Sequence, residues 1–179
     1  MKLATWNVNS LTVRLPQVID WLKAQEALGA DQAIDVLALQ ELKMTDDKFP
    51  HQAFTEAGYH AQWFGQKTYN GVALISKVPA NAVVKNIPGF EDDMSRVIAG
   101  TYGDVRVIGA YFPNGQAPDS DKFVYKMRWL EALKHWVQQE MAQHPKLALM
   151  GDYNITFDDL DVWDPVALAG TIHCTPEER

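Results

Sequence analysis

Three pairs of polar residues in this sequence share one spacing. Asn7 and Asn9, Glu41 and Lys43, and Asp152 and Asn154 each stand two positions apart, so on an extended chain the members of a pair share a face. Each pair lies at the end of a short apolar run: Lys2 to Val8, Asp35 to Gln40, and Lys146 to Met150. In open α/β sheets, sites form at the carboxyl ends of strands. Asn, Asp and Gly after a strand are also ordinary turn formers, so one such end carries little weight. Three of them, each with an acid or an amide, carry more. The chemistry that fits is that of a hard cation, because Mg²⁺ takes oxygen ligands, usually one or two carboxylates, and keeps several waters. Glu41 and Asn7 can supply oxygen to such an ion. Asp152 can then orient or deprotonate an attacking water, and Asn154 can hold that water or a phosphate oxygen.

The stretch Tyr111-Phe112-Pro113-Asn114-Gly115 adds a phenol. Its Pro-Asn-Gly turn lifts Tyr111 to the end of a strand, where the hydroxyl can donate to a phosphate oxygen. Other chemistries find no support. There is no His/Cys cluster for zinc. Neither the glycine-rich dinucleotide motif nor the phosphate-binding loop with its Gly-Lys-Ser/Thr ending occurs, and the serine nucleophile elbow is absent.

The elements that position these residues follow from hydrophobic spacing. After the first strand, Leu15, Val18, Ile19 and Leu22 recur at three and four, which predicts a helix with Pro16 in its first turn. Gly29 closes it, and a turn runs through Gln32. Asp35 to Gln40 is nearly all apolar, so the first two strands should form a parallel pair buried on both faces. Strand-like runs then follow closely: Tyr59 to Phe64, Gly71 to Ser76, Ala82 to Ile87, Arg96 to Tyr102 and Val105 to Phe112. Their short turns predict antiparallel pairing, with a tight hairpin at Tyr102-Gly103-Asp104. Phe123, Met127, Leu130, Leu133, Val137 and Met141 keep helical spacing, and Asp121 can cap that long helix. The sum is one α/β domain over residues 1–179 with a mixed sheet. At the end, Thr175-Pro176-Glu177-Glu178 has capping-box spacing with proline at the first helical position; a frayed polar terminus is the plainer reading.

Composition bounds the class. A chain of 179 residues is about one domain. With 47% apolar and 22% charged residues it is neither a disordered chain nor a low-complexity linker. Sixteen Lys and Arg against 23 Asp and Glu give a net charge of −7. That argues against a nucleic-acid binder held by charge alone, but not against a nucleic-acid enzyme, since a cation in an acidic cleft inverts the local field. Cys174 is the only cysteine, which excludes an intrachain disulfide and favours a reducing compartment. The N-terminus turns polar too soon for a signal peptide. The longest apolar run, Val107 to Phe112, falls far short of the ~18 residues of a membrane span. The expectation is a cytoplasmic protein without a membrane segment.

Taken together, TWNVNS (Thr5 to Ser10), LQELK (Leu39 to Lys43), NGVALISK (Asn70 to Lys77), RVIAG (Arg96 to Gly100), YFPNG (Tyr111 to Gly115) and GDYNI (Gly151 to Ile155) resemble the bacterial exonuclease III and AP endonuclease family. That family lies within the endonuclease/exonuclease/phosphatase superfamily. Each segment is weak alone; LQELK, YFPNG and GDYNI together are specific. The resemblance implies a four-layer α/β sandwich of the DNase I type with mixed sheets. It also implies Mg²⁺- or Mn²⁺-dependent phosphodiester hydrolysis by a monomer in DNA repair, on duplex DNA with 3′ ends, 3′ blocking groups or abasic sites. Carried over by position, Asn7 and Glu41 are metal-site residues, Tyr111 contacts the scissile phosphate, and Asp152 activates water. Asn154 orients Asp152 or stabilises the transition state. Lys43, Lys67, Asn70, Arg96 and Asn114 are candidates for the DNA face. Ser10 stands where the family often has glycine.

The family pattern also continues past the final Pro-Glu-Glu-Arg, through further strands and a late Asp–His pair. No counterpart of that pair occurs here; His173 lies too early and reads as structural. The resemblance therefore implies a fold incomplete at its C-terminus, with exposed strand edges. Two other readings follow: a truncated, inactive chain with at most weak DNA binding, or a phosphatase or phosphodiesterase of the same superfamily acting on a lipid or small molecule.

Overall fold

Strand β1 (Leu3–Asn7) and strand β2 (Val36–Gln40) pair in parallel, Leu3 opposite Val36 and Asn7 opposite Gln40. This register brings the two carboxyl ends level, so Glu41 emerges beside Asn7. The computed structural model describes residues 1–29 and 32–179; the turn expected through Gln32 lies partly outside the described residues. Helix α1 (Leu11–Ala27) joins the two strands. It starts four residues before the apolar spacing indicated, which puts Pro16 inside the helix rather than in its first turn. The start is fixed from outside: Ser10 and Leu11 donate their backbone N–H groups to the carbonyls of Glu41 and Leu42. The absent proline N–H costs one bond to the preceding turn.

Sheet A is completed by β4 (Val72–Ser76) and β3 (His60–Phe64), in the order β1-β2-β4-β3, with β4 antiparallel to both neighbours. A short helix α2 (His51–Glu56) precedes β3 and buries only Phe54. With one buried apolar residue it left no periodic signal in the sequence. Sheet B has the order β5-β6-β7-β8, from β5 (Asn81–Lys85), β6 (Val97–Tyr102), β7 (Val105–Tyr111) and β8 (Leu147–Asp152). Its first three strands are antiparallel, and β7 and β8 are parallel with Tyr111 opposite Asp152. Helix α3 (Asp121–Gln143) makes the β7–β8 crossover. Its cap is Ser120, whose hydroxyl accepts from Phe123 N–H, not Asp121. Helix α4 (Pro165–Leu168) is a single turn.

The architecture is a four-layer α/β sandwich with two mixed sheets, and β2 shows why. Leu37 and Leu39 point to a core shared with α1 residues Leu11, Val18 and Leu22. Val36 and Ala38 point the other way, to Leu74, Ile98 and Val107 between the sheets. A run buried on both faces has no polar alternation to show. On the far side of sheet B, Ile108, Ala110 and Phe112 pack against Trp129, Leu133 and Trp136 of α3. The sheets approach closely at Gly109, where a Cβ would lie 3.1 Å from Leu74 Cδ2 and 3.3 Å from the Ala38 Cβ.

The final turn is no frayed end. Thr175 N–H donates to Glu178 Oε2, Glu178 N–H donates to Thr175 Oγ1, and both residues are buried.

Gly151, one residue before Asp152, has φ 152°, and a Cβ there would fall 1.8 Å from the Ala110 carbonyl oxygen. No side-chain rotation relieves a clash with backbone, so β8 would have to slide on β7. Gly151→Ala should therefore lower the unfolding free energy by about 2 kcal/mol or more, read from the midpoint of a urea titration. An unchanged midpoint would show that β8 shifts freely.

Candidate active site

The carboxyl ends of β1, β2 and β8 meet. Asn7, the last residue of β1, donates from Nδ2 to Glu41 Oε1 at 2.7 Å and to Asp152 Oδ2 at 2.8 Å. Residues 145 positions apart in the chain are thus joined by one carboxamide. Its own Oδ1 accepts from Asn9 N–H at 3.0 Å, which fixes the amide's orientation. Asp152 is held a second time, its Oδ1 accepting from Asn154 N–H at 3.1 Å. The two-residue spacing read as a shared face is here an Asx turn, in which the acid is bonded by the backbone it precedes.

Glu41 takes a second partner in Lys43, whose Nζ lies 3.0 Å from Oε2; Lys43 also donates to Asn9 Oδ1. Burial alone would raise the Glu41 carboxyl, but hydrogen bonds from Asn7, Lys43 and Tyr111 outweigh it and hold the group below its ordinary value. Tyr111 shows the converse. Burial and the adjacent Glu41 carboxylate push its phenol far above the usual tyrosine value, so it keeps its proton.

On the other side of Tyr111 the sheet ends in a cleft of about 520 Å³, lined among others by Tyr69, Asn70, Arg96, Asn114 and Lys122. Arg96 stands over the Tyr111 and Tyr125 rings at 5.2 and 5.8 Å, donates from Nη1 to the Tyr111 carbonyl, and has a buried Nε without a partner. Asn70 is buried, and its amide is spent within the protein, on Gln66 Oε1 and Met94 Sδ. Lys67 is exposed and does not line the cleft.

The Asn154 side chain is also committed, donating from Nδ2 to the Phe112 carbonyl at 3.0 Å. It therefore acts on Asp152 through its backbone N–H. Asn114 is 3.4 Å from Asn154 Oδ1, and its Nδ2 lies 3.1 Å from His173 Nε2. His173, expected to be structural, is thus part of this rim; its neighbour Cys174 is the buried one. Burial and the Lys126 ammonium lower the His173 imidazole below its ordinary value. Nothing at short range in the sequence marks His173, since its partner lies 59 positions away.

Backbone strain collects at this end of the sandwich. Asn9, Glu41, Lys43, Asn70, Asn154 and His173 all have positive φ, between 43° and 74°. Such conformations are costly for residues with a Cβ and persist where surrounding contacts over-determine them.

Among the described residues, no group of three or more His, Cys, Asp or Glu side chains is placed to hold a metal. Glu41 and the carboxamide oxygen of Asn7, side by side at the ends of two strands, do match the preference of Mg²⁺ for hard oxygen with water completing its shell.

A model of the Endonuclease/Exonuclease/phosphatase family matches residues 4–173. A 3′ phosphatase of Neisseria, NExo, solved with a product DNA hairpin, superposes with a TM-score of 0.93 at 48% identity, covering 100% of this chain and 67% of the other. An AP endonuclease from Archaeoglobus fulgidus superposes at 0.91 with 34% identity, covering 100% of this chain and 67% of the other. The exodeoxyribonuclease III of Haemophilus influenzae is 32% identical over 168 residues, covering 90% of this chain and 60% of the relative, so the chain spans little more than half that protein's length. With a family model matching nearly its whole length, the chain belongs to the endonuclease/exonuclease/phosphatase family.

Proposed function

We propose that this chain carries the phosphate-cleaving half-site of a divalent-metal-dependent DNA hydrolase, acting on duplex DNA at 3′ ends or abasic sites. The observation that carries the reading is the Asn7 bridge between the Glu41 and Asp152 carboxylates, with the protonated Tyr111 phenol beside Glu41. Relatives named as a 3′ phosphatase with product DNA and as an AP endonuclease support DNA as the substrate.

Each side chain then has one task. Asp152, aimed by Asn7 and by Asn154 N–H, takes the proton of an attacking water. Tyr111 donates to a nonbridging phosphate oxygen, a task its raised pKa keeps open at every physiological pH. Glu41 and Asn7 would hold the divalent cation, Mg²⁺ or Mn²⁺, through carboxylate and carboxamide oxygen. Bound there, the ion would neutralise and polarise the phosphate. Arg96, Lys122 and Asn114 on the cleft wall receive the flanking strand, and the hydrogen bonds of Asn7, Lys43 and Tyr111 keep Glu41 ionised. No helix among the described residues is long and apolar enough to cross a membrane, and the proposed setting is the cytoplasm, as a monomer.

The test is hydrolysis of labelled duplex DNA bearing a 3′ phosphate or an abasic site, by the 179-residue chain with and without Mg²⁺. Metal-dependent product should form, and Asp152→Asn should slow it on the order of 10² to 10⁴-fold. Equal turnover by wild type and Asp152→Asn would remove Asp152 from the role.

Glu41 gives a second outcome, at equilibrium. Its folded pKa lies below the ordinary 4.5, so its ionised form stabilises the fold above that value. The contribution is lost as pH falls through the folded value. Wild-type Tm should therefore drop more steeply below about pH 4.5 than that of Glu41→Gln. Parallel Tm–pH curves would mean that the Asn7–Glu41–Lys43 network contributes no stability.

A further inference from the structure

Lys126, in the second turn of α3, is completely buried, and so is the carboxylate it meets: Glu178 Oε1 lies 2.5 Å from its Nζ, with neither side chain exposed to solvent. Its other two contacts are backbone carbonyls, of Asn154 at 2.6 Å and of Asn114 at 3.2 Å. An ammonium has three donors, and all three are used. Each carbonyl belongs to a different loop of the candidate site. Asn114 follows Tyr111 by three residues, and Asn154 follows Asp152 by two.

The far side of the pair is equally tied. Glu178 Oε2 accepts from Thr175 N–H and Thr175 Oγ1, which closes the capping box. The lysine stem also runs directly under the first loop, since a Cβ on Gly115 would come within 2.9 Å of Lys126 Cδ. One turn further along α3, Trp129 packs edge-on against Phe112, the residue after Tyr111, at 4.9 Å. The helix thus meets the loop at two points, one apolar and one charged.

Stability alone is a weak account of such a pair. Two buried charges gain from each other about what they lose in hydration, and an apolar pair of equal volume serves as well or better. An apolar pair cannot, however, donate to two carbonyls at once. We infer that Lys126 is a positioning residue, whose ammonium, pinned by Glu178, holds the Tyr111–Asn114 loop and the Asp152–Asn154 loop at a fixed separation. The phenol and the carboxylate that address one phosphate are then set by a single cation behind them. The inference rests on the proposed function for its kinetic consequence, but its structural consequence is independent of any activity.

The discriminating comparison uses Lys126→Met, the double variant Lys126→Met/Glu178→Leu, and Lys126→Arg. Amide hydrogen exchange is followed by mass spectrometry, alongside Tm and DNA hydrolysis. Lys126→Met leaves the buried Glu178 carboxylate without a counter-charge and should lower Tm. The double variant removes both charges and should recover most of that loss. It should still exchange faster at residues 112–117 and 152–156 while residues 36–40 and 72–76 stay protected. Its kcat should fall on the order of 10²-fold with little change in KM. Lys126→Arg, which keeps the charge and several donors, should recover part of the kcat.

A double variant that regains both Tm and wild-type exchange in the two loops would make the pair purely structural and overturn the assignment. So would loss of protection throughout both sheets, or failure of the double variant to fold. If the wild-type chain hydrolyses no DNA, the proposed function fails, and loop exchange in the double variant decides the positioning role by itself.

Discussion

One carboxamide joins the two halves of this molecule where they matter. β1 and β8 are outer strands of different sheets, and Asn7 at the end of the first reaches the acid at the end of the second. Two carboxylates brought to one spot repel each other. The amide lowers that cost by placing an N–H on each, and the Lys43 ammonium offsets a further part on the Glu41 side. The acids do not stay together because it is favourable for them. They stay because sheet packing leaves them no other place, and Asn7 with Lys43 makes the place tolerable.

Packing sets that place with little slack. The register of β1 on β2 puts Asn7 level with Gln40, and that of β7 on β8 puts Tyr111 level with Asp152. Between the sheets a Cβ on Gly109 would stand 3.1 Å from Leu74 Cδ2 and 3.3 Å from the Ala38 Cβ, so a side chain there would force its neighbours to give. A layer thicker by one methyl group would widen the gap that Asn7 spans, and its 2.8 Å bond to Asp152 has little length to give. Positive φ at Glu41, Asn154 and His173 belongs to the same economy, in which strand ends turn sharply so that acids and amides point inward. The cores on either side of the sheets hold that strain.

What could be read in the sequence was whatever repeats or stands close by. The strands around Val36 and Val107, the long helix carrying Leu130 and Leu133, and the three polar strand ends all follow from local spacing. Asn7, Glu41, Tyr111, Asp152 and Asn154 come together as the strand ends suggested, in an arrangement of contacts that spacing could not supply. Asn154, for instance, works through its backbone while its side chain is spent on Phe112. The short helix with Phe54, the early start of α1 at Leu11, and the cap at Ser120 were not legible. Each is decided by a tertiary contact or a single hydrogen bond that has no periodicity. His173 and Lys126 were hidden for a stronger reason, because their partners lie 59 and 52 residues away and an apolar helix face disguises a buried lysine.

The acidic balance of the chain and the proposed polyanionic substrate are reconciled by where the charges sit. A net charge of −7 repels DNA at long range, but screening confines that repulsion to about 8 Å at physiological salt. Within that distance, the cleft wall presents Arg96, Lys122 and amides, with Asp92, Asp93 and Asp121 lining the adjoining pocket that shares Arg96 and Lys122. Arg96 is held by the Tyr111 and Tyr125 rings, while the nearby Asp92 accepts from the Tyr125 hydroxyl. An acid there would neutralise the one guanidinium that the wall can offer, whereas an aromatic face orients it and leaves its charge free.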